Sequence, residues 1–191
     1  MIEATRRKLG EARFFHQHLM NMRQGRTATY QPEAFGYYFS AFISAARSVL
    51  WVLHHEEKEK WEAWEPAWKS TLNDEERKFL KFTNELRLDE VKRSGADKIV
   101  EWEDVAIHEL FSANFDLERQ HPAYGMSRSS PSVALLRGEG DLSAAATVRR
   151  RAYYLEQENG KEEVTALCER YLSFLDKVVR EFEQAHQSPT P

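Results

Sequence analysis

The stretch from Phe35 to His55, FGYYFSAFISAARSVLWVLHH, contains the longest apolar part of the chain and decides the fold class. Its apolar side chains recur at alternating steps of four and three residues, which is the spacing of one helix face. These residues are Phe35, Phe39, Phe42, Ala46, Val49 and Leu53. Apolar residues also fill much of the remaining circumference, as is typical of a buried, central helix. The sequence therefore predicts other helices packed around this one.

Three further segments show helical periodicity. The first runs from Ile2 to about Met22 and precedes the break GRTATYQP. Another starts at Asn73, where Glu76 three residues later completes a capping-box pattern, and stops near Gly95. The last presents one apolar face, formed by Val164, Leu167, Cys168, Tyr171, Phe174, Leu175, Val178 and Phe182. We therefore expect a mainly α protein, a helical bundle of about four main helices.

The residues after His54, HEEKEKWEAWEPAW, carry the tryptophans Trp61, Trp64 and Trp68. They are predicted to extend the central helix into solvent until Pro66 ends it. The tryptophan stripe has two interpretations. It docks against the rest of the protein or a second subunit, where tryptophan is a favoured anchor, or it forms core packing against the segment 96–160.

Residues 96–160 separate the third and last predicted helices. KIVEWEDVAIHEL is either a strand followed by a helical turn or a short helix, and NFDLERQHPAYGMSRSSPSVALLRGEGD has loop composition. TVRRRAYYLEQENG is rich in β-branched and aromatic residues and ends in the turn signal Asn159-Gly160. We expect a small, two-stranded, hairpin-like elaboration within a single domain spanning 1–186, followed by a disordered tail at 187–191.

Composition narrows the class of protein. A length of 191 residues suits one domain, and a net charge of −4 argues against a non-specific nucleic-acid coat while leaving room for a local basic patch. The single cysteine, Cys168, excludes an internal disulfide and indicates a reducing compartment. No run approaches the ~20 apolar residues of a membrane span, and the first residues lack a secretory signal. The expected location is the cytoplasm, without a membrane partner.

Arg47 is a lone charge within the apolar helix, on a stripe with Ser40, Ser44 and Trp51. Burying an unpaired guanidinium is costly, so Arg47 needs a partner. It either forms a structural ion pair with an acid on another helix, or it binds an anion or acts in catalysis in a groove between helices. Trp51 is the neighbouring candidate for a ligand contact.

His54 and His55 are candidate catalytic residues but poor metal ligands. Neighbouring helix residues point about 100° apart, so this pair cannot close on one ion. The chain also lacks an HExxH pattern. We expect the exposed end of a helix here, and neither a metal nor a cofactor.

The tight basic cluster of Arg149, Arg150 and Arg151 precedes Tyr153 and Tyr154. It is a candidate ligand or nucleic-acid contact, because arginine with interleaved aromatic residues suits phosphates and stacked bases. A charged, solvent-facing strand edge explains the same cluster.

The run FGYYFSAFISAARSVLWVLHH resembles a segment of uncharacterised bacterial proteins allied to the HEPN superfamily, which are compact helical bundles. ALCERYLSFLDKVVREF at 166–182 resembles their closing helix, and NELRLDEVKR at 84–93 lies between the two. The likeness covers about half the chain, mostly through apolar patterning. It implies a binding or accessory module, a homodimer formed through apolar helix surfaces, a protein or RNA partner, and a toxin–antitoxin or defence context.

Active HEPN proteins are metal-independent ribonucleases that pair an arginine with a histidine four to six intervening residues later. The matching arginine here is Arg87, with Asp89 and Lys92 after it, and no histidine follows in range. Without an imidazole to move the proton of a ribose hydroxyl, the resemblance implies a non-catalytic role. The alternatives are a ribonuclease that uses Arg47, His54 or His55 with the Arg87–Asp89–Lys92 cluster, and a small-ligand sensor with a pocket beside Arg47 and Trp51.

Overall fold

A computed structural model of the protein describes residues 2–24, 32–92, 99–106, 147–157 and 160–186. Five helices and three strands lie in these ranges. In chain order they are α1 (Glu3–Arg23), α2 (Pro32–Glu56), α3 (Lys58–Thr71), α4 (Asp74–Lys92), β1 (Ile99–Ala106), β2 (Thr147–Gln157), β3 (Gly160–Glu163) and α5 (Val164–His186). The predicted fold class, a helical bundle with a small β elaboration before the last helix, is confirmed; the described residues hold five helices where about four were expected, and the elaboration follows the fourth.

The central helix α2 packs against α1, α3, α4 and α5. Phe39, Phe42, Val49 and Leu53 on its predicted face are fully buried. Burying each such side chain stabilises the fold by about 1.5–3 kcal/mol relative to exposure. The apolar pattern of this helix therefore organises the bundle, as its sequence predicted.

The predicted extension of the central helix as far as Pro66 is wrong. The helix α2 ends at Glu56, the backbone of Glu57 leaves helical geometry at φ −133° and ψ 50°, and α3 begins at Lys58. Pro66 lies inside α3, where proline lacks the N–H of a helical hydrogen bond at a cost of about 3 kcal/mol. Burial of the tryptophans on both sides of Pro66 offsets that cost.

The tryptophan stripe of α3 docks onto the last helix. Trp61 and Trp68 are each only 4 % exposed. Their ring centroids lie 6.0 Å from Phe182 and 6.4 Å from Phe174, respectively, and both phenylalanines belong to α5. The stripe thus packs against the rest of the bundle, which is the first of its two interpretations.

The capping box at the start of α4 is confirmed. Asn73 Oδ1 accepts the backbone N–H of Glu76 at 2.8 Å, and Glu76 Oε2 accepts the backbone N–H of Asn73 at 3.1 Å. Phe79 and Leu86 on the predicted stripe are buried. Local sequence therefore determines where α4 begins and which face it buries.

The three strands form one sheet in the order β1-β2-β3. The strands β2 and β3 are antiparallel, with Tyr154 opposite Glu163 and Gln157 opposite Gly160. Gly160 has φ +126°, a conformation that side chains disfavour, so glycine suits this turn. The hairpin is as predicted, but the sheet has one strand more than expected, because the polar segment GKEE of β3 carries no strand signal.

The chain divides into two compact units. One contains residues 1–100 and 153–191, and the other contains residues 101–152. The predicted loop at 114–141 and the predicted tail at 187–191 lie outside the described residues.

Candidate anion-binding site

A buried tyrosine marks the place where α2, α4 and α5 meet. Tyr171 on α5 is 2 % exposed. Its ring packs edge-on against Phe42 of α2 at 6.2 Å and against Phe79 of α4 at 5.8 Å. Two apolar contacts from different helices thus hold the phenol in one position.

The Tyr171 hydroxyl forms a hydrogen bond with Thr83, which is buried on α4. The hydroxyl of Thr83 donates its single proton to the carbonyl of Leu80 at 3.0 Å. Because the hydrogen bond with Thr83 lowers the pKa of Tyr171, it is the Thr83 hydroxyl that donates to the phenol oxygen, as an alternative to the Leu80 carbonyl.

Arg47 of α2 and Arg87 of α4 are both half-buried, and the positive charge of each acts on the pKa of Tyr171. Burial raises the pKa of Tyr171, while the hydrogen bond with Thr83 and the positive charges of Arg47 and Arg87 act in the opposite direction. Arg87 follows Thr83 by four residues, so both lie on the same face of α4. Two cations from two helices thus act to lower the pKa of one buried phenol.

Within the part of the chain that the structure describes, no carboxylate lies within ion-pair distance of Arg47 or Arg87. Among the other described arginines, Arg6 pairs with Glu183 at 2.8 Å and Arg13 with Asp176 at 2.5 Å, whereas Arg77 and Arg180 donate to backbone carbonyls. The structural ion pair predicted as one interpretation of Arg47 is not formed by a described acid. The anion-binding interpretation of Arg47 stays a prediction.

Trp51 lies one helical turn after Arg47 on α2 and is 58 % exposed. The His55 ring packs on it with a centroid distance of 4.0 Å and an interplanar angle of 31°. His55 Nδ1 also lies 3.1 Å from the carbonyl oxygen of Trp51. This pair forms an exposed aromatic surface beside the arginine.

The histidines do not join Arg47 in a catalytic arrangement among the described residues. His54 and His55 occupy the last turn of α2, as predicted for a helix end. His54 Nε2 lies 3.4 Å from Glu62 Oε1, and His55 contacts Trp51. The charges of Arg47 and Arg87 both act to lower the pKa of Tyr171, whereas each of the two histidines contacts a different residue.

Of the remaining predicted site residues, Arg151 has a described side chain, and the other four do not. Asp89 and Lys92 belong to α4, and Arg149 and Arg150 to β2, but their side chains lie outside the described part of the chain. Arg151 lies over the ring of Trp102 at 4.9 Å, within the second compact unit.

The described ranges hold neither a candidate metal centre nor a candidate membrane-spanning helix. Those ranges hold no group of three or more His, Cys, Asp or Glu side chains arranged to bind a metal ion. Among the described helices, none combines the length and apolar composition needed to cross a membrane.

Sequence reasoning missed Tyr171 and Thr83, since both fit the apolar stripes of their helices. The one available signal was chemical, because a tyrosine on a core face needs a hydrogen-bond partner for its hydroxyl.

Sequence reasoning also missed a polar cluster where α1 meets the start of α5. There, Glu163 accepts the hydroxyl of Thr165 and lies 3.5 Å from Arg23, and His16 packs 6.3 Å from Phe42.

A scan against protein-family models, a search of curated proteins and a search of solved structures found no match for this chain.

Proposed function

We propose that the protein is a non-catalytic, HEPN-like binding module that holds RNA on the face shared by α2 and α4. One observation carries this proposal. Arg47 and Arg87 are half-buried on two helices that pack against each other, and no described carboxylate is within ion-pair distance of either. A half-buried cation without an acidic partner is stabilised by a bound anion.

Arginine suits a phosphate ligand better than lysine does. The planar guanidinium presents a fork of N–H donors that matches two phosphate oxygens at once. Arg47 and Arg87 come from different helices, so the bundle itself fixes their separation. A phosphate at this place would be bound by preorganised donors.

Trp51 supplies the second element of RNA recognition. Bases stack on exposed aromatic rings, and each stacked base contributes about 1–3 kcal/mol. Trp51 is exposed, contacts the His55 ring, and follows Arg47 by one turn. Because the net charge is −4, attraction of RNA has to come from this local surface and not from the whole protein.

The homodimer, a protein partner and the toxin–antitoxin or defence context belong to the same proposal and are supported by the HEPN resemblance alone. The ribonuclease alternative requires a histidine that shuttles a proton beside Arg47. The contacts of His54 with Glu62 and of His55 with Trp51 favour binding over cleavage. The small-ligand sensor would use Arg47 and Trp51 without RNA.

The test is binding of a labelled single-stranded RNA, measured by fluorescence anisotropy at low ionic strength without added metal. We expect Arg47→Gln and Arg87→Gln each to weaken binding about tenfold, since each removes charge-assisted hydrogen bonds. Lys81→Gln is the matched control, because Lys81 is an exposed cation of α4 with only a 3.8 Å contact to Glu85. Circular dichroism establishes that each variant is folded.

Three results would count against the proposal. Equal weakening by Lys81→Gln would mean that only overall charge matters. Absence of RNA binding by the wild type, with binding of a small phosphate compound that Arg47→Gln abolishes, would favour the sensor. Cleavage of the RNA, lost in a His54→Ala, His55→Ala double variant, would establish the ribonuclease instead.

A further inference from the structure

We propose that the sheet formed by β1 and β2 carries a stacking surface for single-stranded RNA, on which Trp102 stacks with a base and Arg151 binds a neighbouring phosphate. The ring of Trp102 on β1 is 59 % exposed. The guanidinium of Arg151 on β2 lies over this ring, 4.9 Å from its centroid. The inference rests on the proposed function for the class of ligand alone, because the sheet surface shares no residue with the surface on α2 and α4.

The contact between Trp102 and Arg151 places both side chains on one face of the sheet. The strands β1 and β2 are hydrogen-bonded neighbours. Successive side chains of a strand point to opposite faces, so Glu101 and Glu103, which flank Trp102 in the sequence, lie on the other face. The exposed ring therefore has a cation beside it on its own face, and the two acids of β1 lie away from it.

The two tyrosines that follow the arginine cluster in the sequence pack within the fold. Tyr153 stacks on the buried ring of Phe35, with a centroid distance of 3.8 Å and an interplanar angle of 9°. Lys161 lies over the ring of Tyr154 at 4.5 Å. Trp102, which is distant in the sequence, supplies the exposed ring beside the arginine cluster instead. The predicted combination of arginine and aromatic ring is thus found with a different aromatic partner.

An exposed indole next to a guanidinium matches the two parts of a nucleotide. The indole stacks with any base, because every base has a π face. The guanidinium presents a planar fork of donors to phosphate oxygens, and its contact with the ring holds it in place. The strand β2 contains Arg149, Arg150 and Arg151 in succession, so it is basic in a chain whose net charge is −4. This local charge complements a phosphate backbone.

The ring selects among possible occupants of the surface. A base reaches an exposed indole only when it is not stacked inside a duplex, so the RNA has to be single-stranded. An acidic peptide would supply the negative charge for Arg151 without a flat base for Trp102. A protein partner would cover the ring without a phosphate. Single-stranded RNA is the occupant that uses both side chains.

The experiment measures binding of an unstructured, single-stranded RNA of about eight nucleotides to the full-length protein, beside the same sugar–phosphate strand without bases. Fluorescence anisotropy gives both affinities. The wild type is expected to prefer the strand with bases about tenfold. Trp102→Ala should remove this preference, because the strand without bases has nothing to stack. Arg151→Gln should weaken both strands about fivefold and retain the preference.

Two matched controls accompany these variants. Phe14→Ala removes a ring that is similarly exposed, 56 %, on α1. Lys161→Gln removes a cation that also lies over an aromatic ring, in the same sheet. Neither control should change the preference for bases. Trp102→Phe keeps a ring for stacking and should retain most of the preference, and circular dichroism establishes that each variant is folded.

The outcomes separate this inference from the proposed function. Loss of RNA affinity in Trp102→Ala and Arg151→Gln, with none in the arginine variants of α2 and α4, supports the sheet surface and overturns the other surface. The reverse pattern overturns this inference and retains the proposed function. Equal affinity for the strands with and without bases overturns it as well, as does an equal loss in Phe14→Ala. If the wild type binds no RNA, both proposals fail; self-association that Trp102→Ala abolishes, measured by sedimentation, would then identify the ring as part of a protein interface.

Discussion

The carboxylate of Glu56 binds the first turn of α1 through Thr5, 51 residues earlier in the chain. Glu56 Oε2 accepts the backbone N–H of Thr5 at 2.9 Å and its hydroxyl at 2.8 Å, while Oε1 accepts the N–H of Ala4 at 3.0 Å. The first N–H groups of a helix have no partner within the helix. Glu56 therefore caps α1 from the last residue of α2 and ties the two helices together.

Removing this cap should destabilise the protein. We expect Glu56→Gln to lower the free energy of unfolding by about 1 kcal/mol, as loss of a helix cap and of a favourable dipole interaction commonly does. Urea denaturation followed by circular dichroism measures the change. Glu85→Gln is the control, because Glu85 is an exposed acid of α4 with only a 3.8 Å contact to Lys81. Equal losses in the two variants would contradict the capping role.

The same cap predicts an acid-side dependence. Burial raises the pKa of Glu56, but the hydrogen bonds from Thr5 and Ala4 outweigh it, so the pKa lies below its ordinary value of 4.5. A lowered folded-state pKa stabilises the protein above pH 4.5, and the contribution is lost as pH falls through the folded-state value. The stability difference between wild type and Glu56→Gln should therefore shrink in acid. A difference that stays constant down to about pH 3 would contradict this.

His16 should produce a second dependence in a higher pH window. Burial lowers the pKa of His16 from its ordinary value of 6.5, more than Glu169, the Thr165 carbonyl and Glu163 raise it. The folded state therefore favours the neutral ring, and stability is complete above pH 6.5 and declines as pH falls below it.

The measurement is urea denaturation of wild type and His16→Gln at several values between about pH 7.5 and pH 5.5. We expect the wild type to lose stability relative to the variant as pH falls. If the difference between the two does not change over this range, the buried histidine does not titrate as described.

The features that could be predicted from sequence are those set by nearby residues. The capping residues Asn73 and Glu76 are three residues apart, and the apolar residues of α5 recur at helical spacing within one segment, so both features can be predicted from the sequence. The end of α2 at Glu56 could not be predicted in this way. It depends on the contact with Thr5 and on the docking of the α3 tryptophans, both of which are tertiary.

The candidate site shows the same division. Arg47 could be singled out, because a charge in an apolar helix requires an explanation. The effect that Arg47 and Arg87 share on the pKa of Tyr171 could not, because the three residues come from three helices and Tyr171 looks like ordinary core. The contacts of His54 with Glu62 and of His55 with Trp51 could not be predicted from the sequence either.

Cys168 should be protected from thiol reagents as long as the bundle is folded. It is fully buried, and burial, with the charges of Glu163 and Glu162, raises its pKa well above the ordinary range. Because the thiolate is the reactive form, labelling by an aromatic disulfide reagent should be slow in buffer and rapid in denaturant. Fast labelling under native conditions would mean that α5 is exposed.

Trp68 separates the packing role of the tryptophan stripe from its polar group. The ring is buried against Trp64 and Phe174, and its Nε1–H has no hydrogen-bond partner among the described residues. Trp68→Ala should cost about 3–5 kcal/mol of unfolding free energy, because it leaves a large cavity. Trp68→Phe keeps an aromatic ring and removes the unsatisfied donor, so its cost should be far smaller. Thermal and urea denaturation of both variants measure the two costs, and equal losses would mean that the indole N–H has a partner essential to the fold.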